Sequence, residues 1–130
     1  MLLMSRLIAV AAIGMLAACA SELVMQPAQF APAAVGSPGA EIQIASNAVA
    51  TSSAGRHRDL EAGSRWQAVG HIAQGNVYKR VDGIFVVQAR NVHEAYLVVS
   101  GGRLQGFYLP VENAFSPANP SVQLTLKENR

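Results

Sequence analysis

This chain has little with which to staple or charge itself. One cysteine in 130 residues excludes an internal disulfide and any metal site built on several thiolates. Charge is sparse as well: ten Lys and Arg stand against eight Asp and Glu, for a formal net charge of +2. The densest basic stretch, Arg56-His57-Arg58, is followed at once by Asp59 and Glu61. A nucleic-acid surface would gather its cations on one face among stacking aromatics, so no nucleic-acid partner is expected. His57, His71 and His93 fall at no metal-ligand spacing such as i, i+2 or i, i+4, and no metal or cofactor is expected. No nucleophile elbow frames a serine, and no Gly-rich loop leads into a helix. Glu94 and Glu112 read as strand-end charges beside Arg90 and Arg103 rather than as a catalytic pair. The chain is therefore not read as an enzyme.

What is present begins with an apolar N-terminal segment. Arg6 and the free amine make a short positive start, and residues 7–18 carry no charge. That run falls short of the roughly 18 to 20 apolar residues needed to span a bilayer. It reads as a signal segment, to be set aside before the fold is considered. It closes on Leu16-Ala17-Ala18-Cys19. Small residues at 17 and 18 fit the narrow cleft in which a signal peptidase holds the chain before cutting. An ordinary secretory cut at an Ala-x-Ala site and a buried helix with a packed cysteine are the alternatives.

Leu16-Ala17-Ala18-Cys19 resembles the lipobox of bacterial lipoproteins, over about residues 1–21. The resemblance implies cleavage between Ala18 and Cys19, diacylglycerol in thioether linkage on Cys19, and acylation, as by palmitate, of the new amine. Each buried methylene contributes about 0.8 kcal/mol, so three acyl chains exceed what stable anchoring to a membrane needs. Ala20 and Ser21 follow the cysteine, where an Asp would favour retention at the inner membrane in this family. For a Gram-negative source, the resemblance thus implies a lipid-anchored outer-membrane protein facing the periplasm. Loss of Arg6 with the signal leaves nine basic against eight acidic side chains.

Residues 19–55 are low in charge and rich in Ala, Ser, Pro and Gly, with Pro27, Pro32 and Pro38 among them. Such composition predicts a lipid anchor followed by a flexible, disordered tether. Inside it, Glu41-Ile42-Gln43-Ile44 alternates polar and apolar, the mark of a short strand that docks on the domain or on a partner. The division is then 1–18 signal, 19–55 anchor and tether, and 56–130 folded domain.

From residue 56 the chain breaks into short β-branched and aromatic runs separated by turn signals. This predicts an all-β domain, a small antiparallel barrel or roll of five to six strands. Residues 77–81 and 84–88 flank Asp82-Gly83, which predicts a tight hairpin with Val81 opposite Ile84. A second hairpin turns at Gly101-Gly102, with Val99 opposite Leu104 and Tyr96 opposite Phe107. Gly106, in mid-strand, calls for a bend or a close backbone neighbour. Residues 66–72 predict a further strand with Trp66 and Ile72 on one face. Val122, Leu124 and Leu126 predict a C-terminal strand that closes the sheet.

Residues 106–117 gather Phe107, Tyr108, Phe115, Pro110 and Pro117. Either these rings serve the core, or Tyr108 and Phe115 form an exposed contact for a partner, and Trp66 invites the same two readings. The function expected is a non-enzymatic structural or accessory role in a cell-envelope assembly, such as secretion or conjugation machinery. Its partners are the membrane, through Cys19, and an envelope protein. A ligand-binding or inhibitor lipoprotein would instead need a concave, aromatic-lined groove. An enzyme acting on envelope polymers would need His71 or His93 to meet Glu94 or Glu112 in a cleft.

Overall fold

The computed structural model of the chain describes residues 21–34 and 39–129. Ala18, Cys19 and the rest of the lipobox lie outside the described residues. Within them the protein is all-β and antiparallel, with no helix. Gln26–Pro27 (β1) and Ala31–Pro32 (β2) are two-residue pairings on an N-terminal strap. Glu41–Ile44 (β3), Ala48–Thr51 (β4), His57–Leu60 (β5), Arg65–Ile72 (β6) and Gly75–Arg80 (β7) follow. Val86–Gln88 (β8), Val92–Glu94 (β9), Tyr96–Ser100 (β10), Arg103–Leu109 (β11), Ala114–Gln123 (β12) and Leu126–Asn129 (β13) complete the order.

The main sheet runs β1-β12-β11-β10-β7-β6-β3-β13, with β2 also on β6; β4–β5 and β8–β9 are separate two-stranded ribbons. Two short connections show how strongly this sheet is twisted. From the end of β12 to the start of β13 the chain crosses only Leu124 and Thr125, a reach of about 10 Å. Those strands stand six places apart, which would be about 29 Å in a flat sheet. At the other end of β12 the strap leaves β1 and joins β6 at Ala31 after only three intervening residues. Twist lifts one diagonal pair of corners over one face and the other pair over the opposite face. β1 and β13 remain edges, so the sheet rolls without closing into a hydrogen-bonded barrel.

Each face of the rolled sheet buries its own core. Leu97 and Val99 of β10 point to one side and Val98 to the other, and all three are buried. A strand covered on both faces is apolar throughout, which explains the unbroken Leu-Val-Val run. The larger core holds Ile42, Ile44, Trp66, Leu97, Phe107 and Leu109, closed by Ala50 and Leu60 of the β4–β5 ribbon and by Phe85 and Val87. The smaller one, Ile72, Val77, Val98, Tyr108 and Phe115, is covered by Ala28 and Phe30 of the strap. Phe30 stacks on Tyr108 at 4.9 Å between centroids.

Several sequence expectations need correction. The tether predicted over 19–55 is, where described, part of the fold. Leu23 is buried in the larger core and β4 pairs with β5, while the short strand expected at residues 41–44 docks on the domain, between β6 and β13. Composition weighs only local drive, whereas Leu23, Phe30, Ile42 and Ile44 find their burial against distant strands. The Asp82-Gly83 hairpin does not form. Both edges of β7 are taken, by β6 and β10, so the following run pairs with β9 instead. The C-terminal run is split, with Val122 in β12 and Leu126 opening β13 on β3.

The second hairpin forms around Gly101 and Gly102, whose φ values of 61° and 75° suit the two-residue turn. Val99 opposes Leu104 as expected, but a bulge beside Val98 moves Phe107 opposite Leu97 and Tyr108 opposite Tyr96. A bulge between Ala68 and Gly70 likewise sends Trp66 to the larger core and Ile72 to the smaller, not to one shared face.

Candidate functional surface

The three aromatic side chains open to either a core or a contact reading sit in the two cores. Trp66 is fully buried; its indole N–H donates to Ser64 Oγ at 3.0 Å, and its ring meets Phe85 edge-on at 5.2 Å. Tyr108 is 6% exposed, and its hydroxyl donates to Asn113 Oδ1 at 2.7 Å across the β11–β12 turn. Burial, and then the neighbouring Tyr96, holds the Tyr108 phenol above its usual range, so it stays a neutral donor. Burial also raises Tyr78, with the Glu128 charge adding and a hydrogen bond from Asn76 opposing. Phe115 is buried in the smaller core against Gly106. Trp66, Tyr108 and Phe115 therefore offer no surface to a partner in this fold. Alternation told which residues share a strand face, but not that both faces would be covered.

Of the histidines and glutamates weighed for catalysis, two come together. His93 Nδ1 and Glu112 Oε2 lie 2.8 Å apart, joining the β8–β9 ribbon to the β11–β12 turn. His93 is buried, faces inward with Val87, and leaves its Nε2 without a hydrogen-bond partner. The proximity that an enzymatic reading required is met by this pair. However, the ring is packed into the protein and neither described cleft is lined by His93 or Glu112. The contact reads as a clasp holding ribbon to sheet. Glu112→Ala leaves both nitrogens of a buried imidazole unpartnered, at a cost of about 1–3 kcal/mol. Urea unfolding monitored by Trp66 fluorescence measures it; a loss below about 0.5 kcal/mol would show the clasp to be idle.

The other histidines stay apart. His57 Nδ1 lies 2.9 Å from Thr51 Oγ1 on the exposed side of the β4–β5 ribbon, and His71 is exposed. His71 borders a cleft of about 430 Å³ with Pro27, Ala28, Gln29, Ile72, Ala73 and Gln74. This cleft has the volume of a small-ligand site but no aromatic wall. A second cleft, of about 350 Å³, is bordered by Asn47, Ala48, Val49, Asp59 and Glu61. Among the described residues no group of three His, Cys, Asp or Glu side chains gathers to hold a metal ion.

What the sequence reading missed are aliphatic side chains left in water. Ile84 is 72% exposed, Val92 63% and Val111 81%. Val92 precedes His93 and Val111 precedes Glu112, so the clasp ties together the two segments that carry them. Ile84 stands at the base of the same ribbon, next to the buried Phe85. A lone exposed aliphatic is ordinary, but three on one ribbon and its adjoining turn make a candidate contact surface. The signal was present in the sequence as Ile84 and Val81, but a hairpin that does not form had paired them with each other. Comparison with family models, curated proteins and solved structures finds no match to this chain.

Proposed function

We propose that this protein is a membrane-anchored lipoprotein, held through acyl chains on Cys19 at the outer membrane and facing the periplasm. In this reading it serves as a non-enzymatic structural or accessory component of a cell-envelope assembly, such as secretion or conjugation machinery. The observation that carries the reading is the uncharged run closing on Leu16-Ala17-Ala18-Cys19. The non-enzymatic part is supported by two filled cores and by a cleft beside the strap that lacks aromatics, and the partner contact by the three most exposed aliphatics, which lie on the β8–β9 ribbon and its adjoining turn. Ile84, Val92 and Val111 are the partner contact, in place of Trp66, Tyr108 and Phe115.

Two measurements test this. Cells producing the full chain, fed an alkynyl palmitate, should yield a labelled protein in the membrane fraction. Cys19→Ser should carry no label and leave that fraction; retention of Cys19→Ser on the membrane would sink the anchor reading. Chemical crosslinking of the intact lipoprotein should then capture an envelope protein that the Ile84→Glu, Val111→Glu double variant no longer captures. Equal capture by wild type and variant, or none by either, would sink the assembly reading.

A further inference from the structure

We infer that the folded domain lies directly on the bilayer, with the strap's first residues and the β4–β5 turn against the lipid headgroups. The inference rests on the lipid-anchor reading and sharpens it, since a flexible tether would leave the domain free to tumble. The chain is already fixed at Leu23, which is buried in the larger core. The next N–H, that of Val24, donates to Ser53 Oγ at 2.8 Å, and Ser53 Oγ is 3.2 Å from Ser116 Oγ on β12. From Gln26 the backbone pairs with Phe115. Three residues separate Cys19 from Leu23, a reach of at most about 14 Å.

That reach decides the orientation. A domain of this size has a radius of gyration of about 13 Å, or an outer radius of about 17 Å as a sphere. Turning its far side to the membrane would require the chain to run half the circumference, about 50 Å. A lipidated Cys19 therefore holds the Leu23 corner down. The side chains at that corner suit the interface. Val24 and Met25 are exposed aliphatics beside the turn, free to enter the headgroup layer. Glu22 and Arg56, both exposed and of opposite sign, leave the corner near neutral towards zwitterionic lipid.

Thioether formation consumes the thiol of Cys19, so an added cysteine takes a nitroxide label alone. Val24→Cys and Arg56→Cys mark the corner. Ala62→Cys is exposed in the turn beyond Leu60, past the far end of the β4–β5 ribbon, which alone is about 10 Å long from His57 to Leu60. Each lipidated full-length variant is placed in phosphatidylethanolamine–phosphatidylglycerol vesicles, and collision with a water-soluble nickel chelate is read. Labels at 24 and 56 should be about threefold less accessible than the label at 62. About fifteen Gly and Ser residues inserted between Ser21 and Glu22 should abolish the contrast. Equal access at all three positions, with intact lipid in the mass spectrum, would overturn the docked orientation while leaving the anchor standing. Protection that survives the insertion would overturn the role of chain length. A mass spectrum with no lipid on Cys19 would overturn the anchor reading and this inference together.

Discussion

Gly106→Ala should lower the free energy of unfolding by about 3 kcal/mol or more, although it adds one methyl group. A Cβ built at Gly106 would sit 2.3 Å from the backbone carbonyl oxygen of Ser116 and 2.8 Å from two atoms of the Phe115 ring. The ring has some freedom to turn, but the carbonyl belongs to the paired strand β12 and has no rotamer to change. Accommodation requires β11 and β12 to separate where they hold Tyr108 and Phe115 in the smaller core. Urea denaturation of wild type and variant checks this. A change under about 1 kcal/mol would mean that the two strands move apart at little cost.

Trp66→Ala is the second large effect, and it also separates the two readings of that side chain. The indole, carried on β6, is fully buried against Phe85, which immediately precedes β8, with the Arg80 guanidinium 5.8 Å from the ring centroid. Removing it takes away a hydrogen bond to Ser64, an edge-on aromatic contact and the volume of the largest core residue. Such truncations cost about 3–5 kcal/mol, a large part of the 5–15 kcal/mol typical of a whole domain. Thermal unfolding followed by circular dichroism should show a much lower midpoint or no cooperative transition. Trp66→Phe, which keeps most of the apolar volume, should lose less. A Trp66→Ala variant that melts like wild type but fails to crosslink its partner would place the indole in a contact after all.

The candidate surface was less legible in the sequence than the strands were. Residues 96–100 and 103–109 read correctly as a hairpin because Gly101-Gly102 supplies the two positive φ values of a tight turn. Asp82-Gly83 carries the same kind of signal and misleads, because β6 and β10 take both edges of β7 before the next run can pair. The registers past Val98 and Ala68 slip at bulges, which alternation alone does not announce. The sequence leaves Tyr108 and Phe115 between a core and a contact role because nothing local says that Phe30, some eighty residues earlier, stacks on Tyr108. For the same reason Ile84 and Val111, which find no such cover, were not recognised as exposed.

By itself, then, the sequence determined the all-β class and the Gly101-Gly102 turn, which follow from side-chain alternation and backbone φ preference over a few residues. It marked Gly106 for either a bend or a close backbone neighbour, and the strand β12 across from it supplies the neighbour. The lipobox at Leu16-Ala17-Ala18-Cys19 is likewise a reading of linear sequence. The tertiary structure alone decided that residues 21–34 and 39–55 belong to the fold, and that the sheet rolls without closing. It also decided that Trp66, Tyr108 and Phe115 are covered while Ile84, Val92 and Val111 are not. Strand edges are filled by competition among distant segments, and burial depends on what lies across the sheet; neither is written in the neighbours of a residue.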